Sequence, residues 1–432
     1  MSRQATAWLI THGVGQGLFY SGTIRPEANG RTFEFVYDCG ARYDDKRHPY
    51  LAQRVDEFRG SVLDVQRGRH PELNALFISH LHDDHVNGVT RLIKDVRVRY
   101  LFMPYLTPLD REVLAATSPE KEDWYYELLT DPVGYALETW GVESVVLITR
   151  GPGPPRRSET ASFEPRNEED DTLRRAVGNM EDFLEPERVE QEESNAERLR
   201  QYRRSGKLYV KTDSLPLSLP WWKFRFYSVQ SDPDAIAAFH AGVQSSATQL
   251  NLREVLTIPA NRDRLKKEYD TLVKSDSALK GDINNTSLVT YHGPVDGAAG
   301  LQHIDLHGEA VCCFGPQPGS HIPRGWPFGT LLTGDVNYRK LASSNVIPSH
   351  FMLEQAQVGT IFAPHHGSED SWTKQVLLDF PNVFHAVVSA GIDSKYRHPS
   401  TAFVRETCVA GKTIHWANQF CESLHTIDLR WS

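Results

Sequence analysis

Ser79-His80-Leu81-His82-Asp83-Asp84-His85-Val86-Asn87-Gly88 follows directly on the apolar run Ala75-Leu76-Phe77-Ile78. The run reads as a buried strand, and the polar cluster begins where the strand stops. Three imidazoles and two carboxylates within His80–His85 make a poor core and a good loop for a divalent metal. Imidazole nitrogen and carboxylate oxygen suit zinc, and also manganese or iron. A loop leaving a strand can aim His80 and His82 at one metal. Asp84 and His85 can then turn toward a second as a helix, expected over Val86 to Lys94, begins.

Outward from this stretch, six more apolar runs adjoin polar clusters. Ala5 to Thr11 is an expected strand that runs into Val14-Gly15-Gln16-Gly17, where closely spaced glycines indicate a turn between paired strands. Phe33 to Tyr37 is the next, ending at Asp38-Cys39-Gly40. Far downstream, Asn284-Asn285-Thr286-Ser287-Leu288-Val289 opens another, and Gly329-Thr330-Leu331-Leu332 ends in Thr333-Gly334-Asp335. Val358 to Ala363 delivers Pro364-His365-His366-Gly367-Ser368, and Ala386-Val387-Val388-Ser389-Ala390-Gly391 precedes Tyr396-Arg397-His398-Pro399. Helical patterns lie between the strands, as over Asp110 to Trp140, so the fold class is α/β with helices outside.

The H-x-H-x-D-H spacing at a strand end resembles the metallo-β-lactamase fold superfamily. VGQG with a strand ending in D-x-G, the N-N-x-S-L-V segment, H-H-G-S and S-x-G…Y-x-H-P are similar to the ComEC-like (competence DNA-uptake) domain of that superfamily. The resemblance implies a metallo-β-lactamase αββα sandwich. It implies one or two divalent metal ions, zinc first and manganese as the alternative, held by His80, His82, Asp84, His85, Asp335 and His366. Asp335 would bridge two metals. Asp38 would orient ligands by hydrogen bonding, and His365 would stand behind them or touch substrate. The superfamily's usual third-motif histidine is missing, and Asn284 or Asn285 stands near its place as a metal or substrate contact. The aspartate that usually follows the last glycine of VGQG is also missing, replaced by Leu18. His398 could act as a general acid or phosphate ligand, Asp84 could orient the attacking water, and Ser368 could bind phosphate or cap the next helix.

The 432 residues divide by composition. Residues 1-150 form the first half of the expected fold. Residues 151-206 are a charge-dense, proline-punctuated insertion, helical from about Glu185 to Arg204. Residues 207-231 return to core strands, and residues 232-282 form a helical insertion that could cap the site. Residues 283-432 form the second half. Trp221 to Tyr227 alternates aromatic and basic residues and reads as a strand with one buried face.

The net charge of -9 argues against a strongly basic nucleic-acid footprint without excluding a local one. Five cysteines with no C-x-x-C indicate a reducing compartment and no disulfide framework. No signal peptide or long apolar stretch is evident, so a cytoplasmic protein with no membrane contact is expected.

The resemblance therefore implies a hydrolase that uses metal-activated water, with nucleic acid or a nucleotide as substrate and a phosphodiesterase or nuclease activity. The alternatives are hydrolysis of a lactone, thioester or amide, or a catalytically degenerate metal-binding module that senses a ligand or partner. Relatives of this kind also occur in multi-protein bacterial systems, defence systems among them, so a protein partner is compatible with the resemblance.

Overall fold

The computed structural model describes the chain except residues 1–2, 28–30, 43–49, 64–70, 119–120, 152–171, 181–188, 191, 231–233, 235–236, 238, 240, 242–251, 276–285, 309–312, 315–326, 393–394 and 432, and gives only backbone for 272–273, 302–308 and 313–314. Asn284 and Asn285 therefore lie outside the described residues, as does most of the 151–206 segment.

Among the described residues, seventeen strands build two sheets. The first half of the chain contributes β1 (Arg3–Thr11), β2 (Gly17–Pro26), β3 (Phe33–Ala41), β4 (Glu72–Phe77), β5 (Arg97–Pro104), β6 (Ser144–Thr149) and β7 (Leu208–Thr212). Then follow β8 (Leu217–Ser218), β9 (Trp222–Val229), β10 (Ser287–Pro294), β11 (Ala298–Gly308), β12 (Cys313–Phe314), β13 (Gly329–Leu332), β14 (Val358–Phe362), β15 (His385–Ser389), β16 (Thr413–Ala417) and β17 (Cys421–Trp431). The nine-stranded sheet runs β11-β17-β1-β2-β3-β4-β5-β6-β7 and the eight-stranded sheet β12-β16-β15-β14-β13-β10-β9-β8. The VGQG turn joins β1 and β2 as an antiparallel pair, as its glycines predict.

Alternation along each strand fixes the layering. Phe35, Phe77, Phe102, Val146 and Ile148 of the first sheet meet Trp222, Phe224, Phe226 and Leu288 of the second in one core. Phe77 stacks on both Phe102 and Phe224, at centroid separations of 4.8 Å. Val36, Leu101, Val145 and Leu147 point the other way, onto helices Tyr50–Phe58, Pro108–Thr117 and Asp123–Thr130. On the far side, Val289, Leu331, Ile361 and Val388 pack beneath Gln375–Asp379 and Thr401–Val409. The result is a four-layer αββα sandwich, the architecture that the metallo-β-lactamase resemblance implied.

Three expectations needed revision. The single helix Val86–Lys94 is two short ones, Asp83–Val86 and Val89–Leu92. β9 is buried on both faces, not one. Its aromatic side lies between the sheets, while Lys223 and Arg225 face the outer layer, where Glu354 receives them at 3.4 and 3.5 Å. Buried charge persists only when paired in this way. Lastly, Cys421 is disulfide-bonded, whereas Cys39 and Cys408 are free thiols.

Among the described residues, helix Pro259–Ser275 of the second insertion packs on Pro108–Thr117, and Arg262 lies 3.8 Å over the Tyr126 ring. That segment thickens the outer layer over the first sheet. No described helix is long and apolar enough to cross a membrane.

Candidate metal centre

Strands β4, β13, β14 and β15 release the chain at one edge of the sandwich, where parallel strands end. His80 follows β4, Asp335 follows β13, His366 follows β14, and Ser389 closes β15. Residues distant in sequence thereby share one pocket. Two groups of donors form within it: His80, His82 and Asp335, and Asp84, His85 and His366. Within each group the donor atoms lie within 4.8 Å of one another.

Asp335 joins the groups. Its Oδ1 stands 3.4 Å from His85 Nε2 and 3.6 Å from His366 Nε2. Its Oδ2 stands 3.5 Å from His80 Nε2 and 3.7 Å from His365 Nε2. All four separations exceed normal hydrogen-bond lengths. They suit donors arranged around cations.

The backbone is shaped for this arrangement. Asp38 sits in a β-bulge: Tyr20 pairs with Tyr37 and Phe19 with Cys39, so Asp38 has no partner and takes φ 54°. A bulge re-aims the side chain it carries. The strand continues to Ala41, so Asp38 is an interior residue and not the strand end expected from D-x-G. Gly40 lets the Asp83–Val86 helix press against β3, since a Cβ there would meet the Asp84 carbonyl carbon at 2.5 Å. Gly334 turns the chain at φ 56°, and a Cβ would strike Ser287 Oγ at 2.3 Å.

Hydrogen bonds set the tautomers. The Ser79 amide and hydroxyl donate to Asp38 at 2.7 and 2.6 Å. Having given its proton away, Ser79 Oγ accepts from His80 Nδ1 at 2.8 Å. His85 Nδ1 donates to Asp38 Oδ2 at 2.8 Å, and His366 Nδ1 to the Ser389 carbonyl at 2.8 Å. Each ring spends its Nδ1 on the protein and turns Nε2 to the pocket. The Nε2 atoms of His80, His85 and His366, and Asp84 Oδ1, are buried with no hydrogen-bond partner. Orphaned buried polar atoms are costly and call for an explanation. Three imidazole nitrogens facing Asp335, with Asp84 Oδ1 grouped beside two of them, fit the donor set of a divalent metal centre.

The electrostatics hold the carboxylates ionised and divide the imidazoles, since burial lowers His85 but Asp335 and Asp38 outweigh it and raise that ring well above its ordinary value. Burial raises the Asp335 carboxyl, but His365, His85, His366 and His80 outweigh it and hold it well below the carboxylate range. Burial likewise raises Asp84, and His85 with Arg42 more than reverses this. Burial pushes His82 down to about 3 and His366 to about 4, which keeps both neutral, as ligands must be.

Other expected residues fall nearby. The His398 ring lies 6.0 Å from that of His365 and 6.5 Å from that of His366, with its Nδ1 unpartnered. Ser368 is buried and its hydroxyl accepts the Ser371 amide at 3.2 Å, so it caps its own turn. His292, on β10, is buried between the sheets with Nε2 3.0 Å from the Tyr20 hydroxyl and does not join the pocket groups.

Three contributors escaped the sequence reading. Ser79 is one. Arg42 donates from Nε to Asp84 Oδ2 at 3.0 Å and lies 4.7 Å over the Tyr396 ring, to whose hydroxyl it also donates. Lys121 pairs with Asp83 at 2.6 Å and so holds that carboxylate. A cation just beyond D-x-G was the one available hint for Arg42. Nothing local marked Lys121.

No protein-family model and no curated protein matches the sequence. Among solved structures, the chain aligns with the metallo-β-lactamase fold protein YhfI from Bacillus subtilis at 7% identity and a TM-score of 0.34, covering 96% of this chain and 98% of that one. It aligns with unliganded yeast PDE1 at 10% identity and a TM-score of 0.32, covering 98% and 99%.

Proposed function

We propose that this chain is a metal-dependent hydrolase that cleaves phosphodiester bonds in nucleic acid or nucleotides, a ComEC-like member of the metallo-β-lactamase superfamily. The observation that carries the reading is the set of buried, unpartnered Nε2 atoms turned on Asp335. His80, His82 and Asp335 would hold one cation, and Asp84, His85, His366 and Asp335 the other, zinc or manganese in each case. Bound divalent ions supply water of lowered pKa and neutralise charge on transferring oxygens.

The chain's own groups do the rest. Asp38 and Ser79 fix the imidazoles. Arg42 presents a guanidinium beside Asp84, where it can take a non-bridging phosphate oxygen, a pairing that its planar fork favours. Lys395 Nζ, 5.2 Å over the Tyr396 ring, adds a second cation at the same mouth. His398, whose ring stands 6.0 Å from that of His365, would hydrogen-bond the leaving oxygen. These cations favour an anionic phosphodiester over a lactone, thioester or amide.

The test is a screen of the zinc- and manganese-loaded chain against single- and double-stranded DNA, RNA, cyclic dinucleotides and bis(p-nitrophenyl) phosphate, with lactone and thioester substrates in parallel. Phosphodiester cleavage that a chelator abolishes is the expected result. Turnover of the carbon esters alone would replace this reading with the carbonyl one. Bound metal with no turnover in any class would replace it with a binding module.

A further inference from the structure

With Asp335 bridging as proposed above, the two sides would be unequal: Asp84, His85, His366 and Asp335 Oδ1 would give one cation four protein donors, and His80, His82 and Asp335 Oδ2 would give the other three. The superfamily's third-motif histidine, which would fill the gap, is absent from the sequence before β10.

We propose that His365 supplies this donor, as the fourth protein ligand of the metal held by His80 and His82. The inference rests on the two-metal reading given above. Its Nε2 lies 3.7 Å from Asp335 Oδ2, the oxygen that His80 Nε2 faces at 3.5 Å. Two donors that share a tetrahedral cation at about 2.0–2.1 Å stand roughly 3.4 Å apart. His85 and His366 bear the same relation to Oδ1, at 3.4 and 3.6 Å. Each oxygen of the bridging carboxylate thus faces a pair of imidazoles.

The backbone is bent to bring two adjacent histidines to one carboxylate. In an extended chain their side chains would diverge to opposite faces. Here His365, His366 and Gly367 all take left-handed φ, at 48°, 56° and 72°. Non-glycine residues adopt this region only where the surroundings enforce it. The His365 amide donates to the Gly334 carbonyl at 3.0 Å, tying it to the turn that carries Asp335. Ser371 Oγ lies 3.2 Å from His365 Nδ1, which leaves Nε2 for the pocket. The ring is 44% exposed, so it stands at the mouth, where the first group is open.

The experiment counts metal and does not depend on turnover. The full chain is stripped with chelator, loaded with Zn2+ or Co2+, gel-filtered and analysed for metal per chain. Wild type is expected to hold two equivalents. His365→Asn, chosen because asparagine accepts left-handed backbone, is expected to hold one and to lose one component of the Co2+ visible spectrum. His366→Asn is expected to lose the other component. On unmodified wild type, Zn2+ is expected to protect His365 from diethylpyrocarbonate, read by peptide mass mapping, so a variant that misfolds does not end the test. Two equivalents in His365→Asn with the wild-type spectrum, or no protection of His365 by Zn2+, overturns the ligand role and leaves the two-metal reading standing. Fewer than two equivalents in wild type overturns both.

Discussion

Asp38 grips His85 Nδ1 at 2.8 Å from the unpaired position of a β-bulge, and that grip commits His85 Nε2 to the metal pocket. The same carboxylate takes both the amide and the hydroxyl of Ser79. Asp38→Asn keeps the shape and tolerates φ 54°, but puts an amide where donors must be received. It is expected to weaken Zn2+ binding by about 10- to 100-fold, the usual cost of losing such an orienting partner. Chelator competition measures this. An unchanged zinc affinity would mean that the bulge serves only the fold.

Asp335 faces imidazoles of both donor groups. Asp335→Ala and His82→Ala are each expected to lower phosphodiester hydrolysis by more than about 100-fold, beyond the range for outer partners. Circular dichroism of the apoproteins should match wild type. Wild-type turnover in both variants would place the chemistry elsewhere.

Arg42 separates the substrate classes. Its side chain is 36% exposed at the pocket mouth. Arg42→Ala is expected to raise KM for a phosphodiester by about 10-fold or more, the worth of one charge-assisted hydrogen bond, with a smaller change in kcat. A neutral lactone should be nearly indifferent. Equal losses on both substrates would point to a role in holding Asp84 rather than substrate.

Residues His80 to His85 were legible because strand and ligands are contiguous, and the TGD and HHGS strand ends followed the same logic. What stayed hidden depends on tertiary proximity. Arg42 and Asp84 are 42 positions apart, and Lys121 lies 38 from Asp83. The bulge that turns Asp38 inward leaves no mark in the alternation of β3, because every residue of that strand is buried. For the same reason β9 looked half-buried: Lys223 and Arg225 read as a solvent face until Glu354, more than a hundred residues on, is brought over them. The left-handed pair His365 and His366 escaped because non-glycine residues rarely advertise such backbone.

A second group of histidines, at the far end of β15 from Ser389, contributes to the acid sensitivity of the fold. His385 on β15, His415 on β16 and His425 on β17 meet between the sheets, with ring centroids 4.8, 5.7 and 5.4 Å apart. His385 Nδ1 and His415 Nε2 share a hydrogen bond of 2.8 Å. Burial drives all three down: His385 well below its ordinary value, His415 to about 4 and His425 to about 3. The folded chain therefore keeps them neutral, while the unfolded chain takes up protons near pH 6.5. Stability from this source is complete above that pH and is lost as pH falls from about 6.5 toward 4, because the unfolded state binds more protons throughout the interval. Each such histidine contributes a slope of about 1.4 kcal/mol per pH unit within it. Urea unfolding of the metal-free chain between pH 7 and 5 is expected to show falling stability, and His415→Gln to reduce the slope by about one proton. The metal-site histidines are common to both proteins, so the difference isolates the cluster. Parallel slopes would mean that these rings gain protons without unfolding, and that their burial is less complete than their packing between two sheets requires.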